Sequence, residues 1–136
     1  MKKVVLDTNV YIDWINGGLH EGFLIGSGYV RHLCAVVVME LRAGAHSRAG
    51  RTAVDRLVRS YESAGRLVAP TRRVFDRAGS VLRQLRLAGR DVRSAAFVND
   101  VLIALTAREM GATVVTGNVG DFEAIRAIES FALEQP

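Results

Sequence analysis

The chain has 136 residues, 49% of them hydrophobic and 24% charged, with 18 basic against 14 acidic side chains for a formal charge of +4. That composition excludes disorder, and the length suits one domain, expected over residues 1–136 and able to bury roughly 65–70% of its unfolded surface. The longest apolar run, Leu33 to Met39, is far below the roughly 20 residues of a spanning helix, and Asp7 interrupts the stretch behind Met1-Lys2-Lys3 too early for a signal peptide, so a cytoplasmic protein with no membrane partner is expected.

Lys3 to Leu6 reads as a short buried strand stopped by a polar cluster at Asp7. Asn9 to Ile15 is helical and ends at Gly17-Gly18, and the spaced glycines 22, 26 and 28 leave the next dozen residues without an assignment beyond a turn at Gly26-Ser27-Gly28. Leu33 to Ala35 is expected as a strand feeding a helix that carries Glu40 and stops at Gly44. Val54, Leu57, Val58 and Tyr61 recur at helical spacing, with Asp55 and Arg59 four apart as a supporting pair. Val74, Ala78, Val81, Leu82 and Leu85 form a second stripe, leaving Arg73, Arg77, Arg83 and Arg86 on the opposite arc. Asn99 reads as the cap of a helix through Met110, closed by Gly111. Ala112 to Thr116 is β-branched and predicts a strand, Asp121 a helix cap for a run through Ile128, and Phe131 to Leu133 an edge strand. Strands alternating with helices imply a parallel sheet covered on both faces.

Four carboxylates fall where these elements meet: Asp7, Glu40, Asp100 and Asp121. In open parallel sheets, ligands collect beyond the carboxyl ends of the strands. Helix N-termini would favour the ionised forms of Asp100, Asp121 and Glu40. Two such charges about 4 Å apart repel by roughly 4 kcal/mol at an effective dielectric of 20, so convergence calls for a cation, and oxygen ligands select magnesium or manganese. Residues 42–93 hold thirteen arginines against four acids, a balance of +9, while the remainder stands at −5. A basic segment framing an acidic site suits an enzyme acting on a polyanion; solvated helix faces would give the same count. The lone Cys34 excludes an internal disulfide or a cysteine zinc cage, and His20, His32 and His46 lack zinc-site spacing. Tyr11 and Trp14 are assigned to the core or an interface, and Asp13 is expected to point away from the acids.

The segments Asp7-Thr8-Asn9-Val10-Tyr11-Ile12-Asp13, Glu40-Leu41-Arg42-Ala43-Gly44, Asn99-Asp100-Val101-Leu102-Ile103-Ala104 and Thr116-Gly117-Asn118-Val119-Gly120-Asp121-Phe122 resemble the successive motifs of PIN-domain ribonucleases, in order, from about Lys3 to Ile128. The VapC-type toxins of bacterial toxin–antitoxin pairs are the nearest likeness. The resemblance implies an α/β three-layer sandwich with a parallel sheet of about five strands flanked by helices, and a magnesium- or manganese-dependent endoribonuclease site. Asp7, Glu40, Asp100 and Asp121 fall on the family's acidic positions, with Asp7 and Asp100 foremost as metal ligands. Thr8, Asn9, Thr116 and Asn118 match positions that hold the acids or touch substrate, a role weighed against plain capping of turns. An RNA substrate, a homodimer and a small antitoxin partner are also implied, with Arg72, Arg73, Arg83 and Arg86 as candidate RNA or antitoxin contacts. Gly117 and Gly120 depart from the family pattern, which often has a basic residue there, and Val37 stands where a Ser or Thr commonly caps the Glu40 helix.

Two other readings compete. A PIN scaffold that binds RNA or protein without cutting is disfavoured by retention of all four acids. A phosphatase on a similar sheet is disfavoured because Thr8-Asn9, not a second Asp two residues on, follows Asp7.

Overall fold

The computed structural model describes residues 1–136. Five strands, β1 (Lys2–Leu6), β2 (Tyr29–Cys34), β3 (Leu67–Val68), β4 (Thr113–Val115) and β5 (Ala132–Glu134), form one sheet in the order β3-β2-β1-β4-β5, every pair parallel. Seven helices flank it: α1 (Thr8–Gly17), α2 (Glu21–Leu24), α3 (Ala35–Gly44), α4 (Arg48–Ser63), α5 (Arg72–Leu87), α6 (Ala95–Glu109) and α7 (Val119–Ile128). The helix-covered parallel sheet of five strands is the architecture expected. Val4, Val5, Leu6, Leu33, Val114 and Val115 are fully buried, as strands covered on both faces require.

From β1 the chain builds β2 and β3 to one side, then crosses to lay β4 and β5 on the other. Strand order therefore reverses between β1 and β4, and their carboxyl ends face a crevice where the two sets of connections diverge. Asp7 and Thr116 are the first residues beyond those two strands.

Several expected boundaries move. β2 starts at Tyr29, and Ala35 already belongs to α3. The polar Arg31 and His32 hide this strand in the sequence; Arg31 turns its guanidinium back to donate to the Phe23 and Gly26 carbonyls, tying down the loop that holds α2. That loop needs glycine at 26, where a Cβ would stand 2.3 Å from the Gly22 carbonyl oxygen. β3, two residues long, leaves no pattern to read. β5 lies one residue later than expected.

The largest correction concerns α6. Its N-cap is Ser94, whose hydroxyl accepts from the Phe97 N–H at 3.1 Å, so Asn99 lies within the helix and does not cap it. Asn99-Asp100 interrupts an apolar run that otherwise begins at Ala95, and that polar break mimics a helix start. Glu40 likewise lies inside α3, and Val37 is a fully buried residue of its first turn, behind Cys34 at a cap position with no side-chain bond. Asp121 sits in the first turn of α7 with Asn118 at the cap position. Helix-terminal stabilisation of a negative charge thus applies to Asp121 and to Asp7, the N-cap of α1, and not to Glu40 or Asp100.

Candidate active site

Asp7 is 3% exposed, and its backbone and side chain are both fully engaged. Its N–H donates to the Val115 carbonyl at 2.9 Å, bridging β1 to β4 beyond the last strand residues. Its Oδ1 caps α1 by accepting from the Thr8 N–H at 2.8 Å, while Oδ2 accepts from Thr116 Oγ1 at 2.7 Å and Asn9 Nδ2 at 2.9 Å. Burial pushes the Asp7 carboxyl above the usual carboxylate range, and the Thr116 and Thr8 donors oppose that rise. Thr116 also accepts from the Asn118 N–H at 2.9 Å, and Asn9 Oδ1 accepts from the Gly117 N–H at 3.0 Å, so the turn after β4 is built around the same polar groups.

Glu40 reaches the crevice from α3, taking a bond from Thr8 Oγ1 at 2.7 Å and another from Asn99 Nδ2 at 3.3 Å. Asp100, one residue along α6 from Asn99, is 7% exposed, and its Oδ2 accepts from Asn118 Nδ2 at 3.2 Å. The same Asn118 nitrogen stands 3.0 Å from Asp121 Oδ2. Asn118 makes no side-chain cap to α7 and instead clamps two acids. Burial first, then the charges of Asp7, Asp121 and Glu40, push the Asp100 carboxyl up to about 8. All four acids are therefore brought together from the β1–α1 junction, α3, α6 and α7, with the neutral donors Thr8, Asn9, Thr116 and Asn118 each bonded to at least one of them.

One cation joins the group, and sequence reasoning missed it. Arg90, between α5 and α6, forms an ion pair with Asp121 and lies with its guanidinium 4.9 Å from the Phe97 ring centroid. It is the only basic side chain in an ion pair with any of the four acids. It lies 31 positions before Asp121, too far for any local pattern to announce the pair. Arg72, Arg73, Arg83 and Arg86 lie exposed on α5, and none is hydrogen-bonded to an acid of the crevice. Asp13 bonds His20 Nε2 at 3.0 Å, away from the crevice, and Tyr11 is buried with its hydroxyl donating to that of Tyr61 at 3.0 Å.

The donor set suits a hard cation. It is all oxygen, and Asp100 Oδ1 is the one oxygen of the four carboxyls that accepts no hydrogen bond. Burial first, and then the charges of three neighbouring carboxylates, raise the proton affinity of Asp100, and a cation beside it would offset that repulsion. No group of three or more carboxylate, histidine or cysteine side chains is close enough to form a ready-made metal cage. Magnesium needs none: it is commonly held by one or two carboxylates, keeping waters and substrate phosphate oxygens as its other ligands. Both Asp121 oxygens accept from Arg90 and Asn118, and both Asp7 oxygens accept from Thr8, Asn9 and Thr116, which leaves Asp100 Oδ1 the unengaged carboxylate oxygen facing the crevice acids.

A family model described as "PIN domain" matches residues 4–127. Among solved structures, the chain is similar to DNA-bound VapBC from Salmonella typhimurium, at 26% identity and a TM-score of 0.74 over 99% of this chain and 98% of that one. It is also similar to FitAcB from Neisseria gonorrhoeae, at 24% identity and a TM-score of 0.73 over 96% of each chain. A third likeness is to VapBC-5 of Mycobacterium tuberculosis, described as a member of the VapBC family of toxin-antitoxin systems, at 23% identity and a TM-score of 0.67 over 100% of both chains. No curated protein sequence matches the chain.

Proposed function

The chain belongs to the PIN domain family, and from that membership and the acidic crevice we propose that it is a metal-dependent endoribonuclease, the toxin component of a VapBC-type toxin–antitoxin pair. What carries the reading is the convergence of Asp7, Glu40, Asp100 and Asp121 at the strand-order reversal, with Asp100 Oδ1 left free of hydrogen bonds. Asp7 and Asp100 would hold the magnesium or manganese ion, which supplies Lewis acidity and a bound water acidic enough to ionise near neutral pH. The chain's own residues do the rest. Thr116, Thr8 and Asn9 fix both oxygens of Asp7, so its carboxylate is aimed before substrate arrives. Glu40, oriented by Thr8 and Asn99, is the group positioned to accept a proton from an attacking water. Asp121 acts through Asn118, whose amide it holds against Asp100.

The antitoxin is proposed because VapBC-5 is described as belonging to a toxin-antitoxin family and because a partly apolar groove runs between α1, α3 and α4. Ile12, Ile15, Leu41 and Val54 line it, and Ile12 remains 41% exposed, a surface that an amphipathic partner helix would cover. The arginines on α5 are proposed contacts for RNA or for that partner, and the chain is read as a single domain that pairs with a second copy.

The test is incubation of purified protein with RNA in magnesium or manganese beside Asp7→Asn and Asp100→Asn variants. Cleavage by wild type and a loss of about 10²–10⁴-fold in both variants is expected. RNA bound but left equally intact by all three would make the chain a binding scaffold. Growth arrest on expression, relieved by the small protein encoded beside it and abolished by Asp100→Asn, would establish the toxin role.

A further inference from the structure

We propose that Arg90 is the side chain that grips a phosphodiester of the substrate backbone at the acidic crevice, an inference that rests on the nuclease reading above. Four carboxylates outweigh the charge of one divalent cation, so a positive group at the edge of the crevice favours approach of a polyanion. The turn that supplies Thr116, Asn118 and Asp121 contains no basic residue: it reads Thr116-Gly117-Asn118-Val119-Gly120-Asp121. Neither glycine is required by backbone conformation, since neither has a positive φ, and a Cβ at Gly120 would meet nothing within 4 Å. The positive charge arrives instead from outside the turn.

Arg90 is placed by the end of α5. Gly89 adopts φ +93, its N–H donates to the Arg86 carbonyl at 3.0 Å, and the Arg90 N–H donates to the Leu85 carbonyl at 3.0 Å, closing the helix and fixing where the arginine leaves it. The guanidinium then lies against Phe97, a buried residue of α6, and pairs with Asp121. This side chain is held in position yet mostly unspent. A guanidinium has five N–H donors, and Arg90 makes one hydrogen bond to the protein. Its side chain keeps 36% of its surface exposed. Stacked on a ring, with free donors in its plane, it matches the forked recognition of phosphate oxygens that favours arginine over lysine. Asn118 links Asp121 to Asp100, so a phosphate held by Arg90 lies beside the acid with the free oxygen.

The test uses a labelled single-stranded RNA oligonucleotide. Binding is measured by anisotropy in magnesium, comparing Asp7→Asn with Asp7→Asn, Arg90→Gln; cutting is measured for wild type, Arg90→Gln and Arg90→Lys. Removing the arginine is expected to weaken binding about tenfold. It should also reduce the slope of log Kd against log salt by about 0.7, the signature of one lost contact to single-stranded phosphate. KM should rise more than kcat falls, and Arg90→Lys should recover part of the loss. If wild type cuts RNA but the arginine variants keep Kd and salt slope, the phosphate contact is overturned and the nuclease reading stands. A fall in kcat alone, with Kd and slope unmoved, also overturns the contact and makes Arg90 a positioning partner of Asp121. A wild type that neither binds nor cuts RNA overturns both.

Discussion

Asp100 sits at the balance point of the crevice, because its carboxyl feels burial and three neighbouring charges while receiving a single hydrogen bond. An ordinary Asp releases its proton near pH 4, whereas Asp100 does so at about 8. Below pH 4, folded and unfolded chains both carry the proton and no difference arises. Between 4 and 8 the unfolded chain has lost it and the folded chain retains it, so metal-free stability falls as pH rises through that window and levels off above it. Asp7, raised in the same direction, adds to the trend. Asp100→Asn is expected to raise the melting temperature in EDTA at pH 8, with the gain shrinking toward pH 5. Saturating manganese should narrow that gap: an ion at a hundred times its Kd stabilises wild type by about 2.7 kcal/mol, and the variant by less. A melting series over pH, with and without metal, checks both statements.

At the level of elements, the crevice depends on where its helices begin. α6 carries both Asn99 and Asp100, and its first turn is held by the Ser94 hydroxyl. Ser94→Ala should lower stability by about 1 kcal/mol, seen as a reduced urea midpoint at unchanged m-value. Much of this arrangement is legible in the chain. Val4-Val5-Leu6 followed by Asp7 announces a buried strand ending at an acid of the crevice, and the stripes of α4 and α5 follow from period alone. Other parts are not, for identifiable reasons. Ser94 is masked as a cap because Asn99 looks like a better one. β3 is too short to have a period, and β2 carries Arg31 and His32 where a buried strand would show apolar residues. Arg90 meets Asp121 only because a left-handed glycine ends α5, a consequence of packing that no local motif encodes.

Across the whole molecule, charge is segregated. The segment 42–93 stands at +9 and the remainder at −5, and the exposed arginines of α4 and α5 lie outside the acidic crevice. On the proposed reading a polyanion would be attracted by the basic segment and cut at the crevice, and its association would depend strongly on salt. Replacing Arg83 and Arg86 by alanine should slow RNA association at low salt, with little change in turnover at saturating RNA; stopped-flow binding at two ionic strengths checks this. No helix is long and apolar enough to cross a membrane. The bond from the Asp7 amide to the Val115 carbonyl, next to the Leu6–Val115 register pair, has a final consequence. The acid that opens the crevice is also a rung of the central ladder, so it cannot fray independently. Its amide should exchange with deuterium as slowly as those of Val5 and Val114, at the rate of global opening.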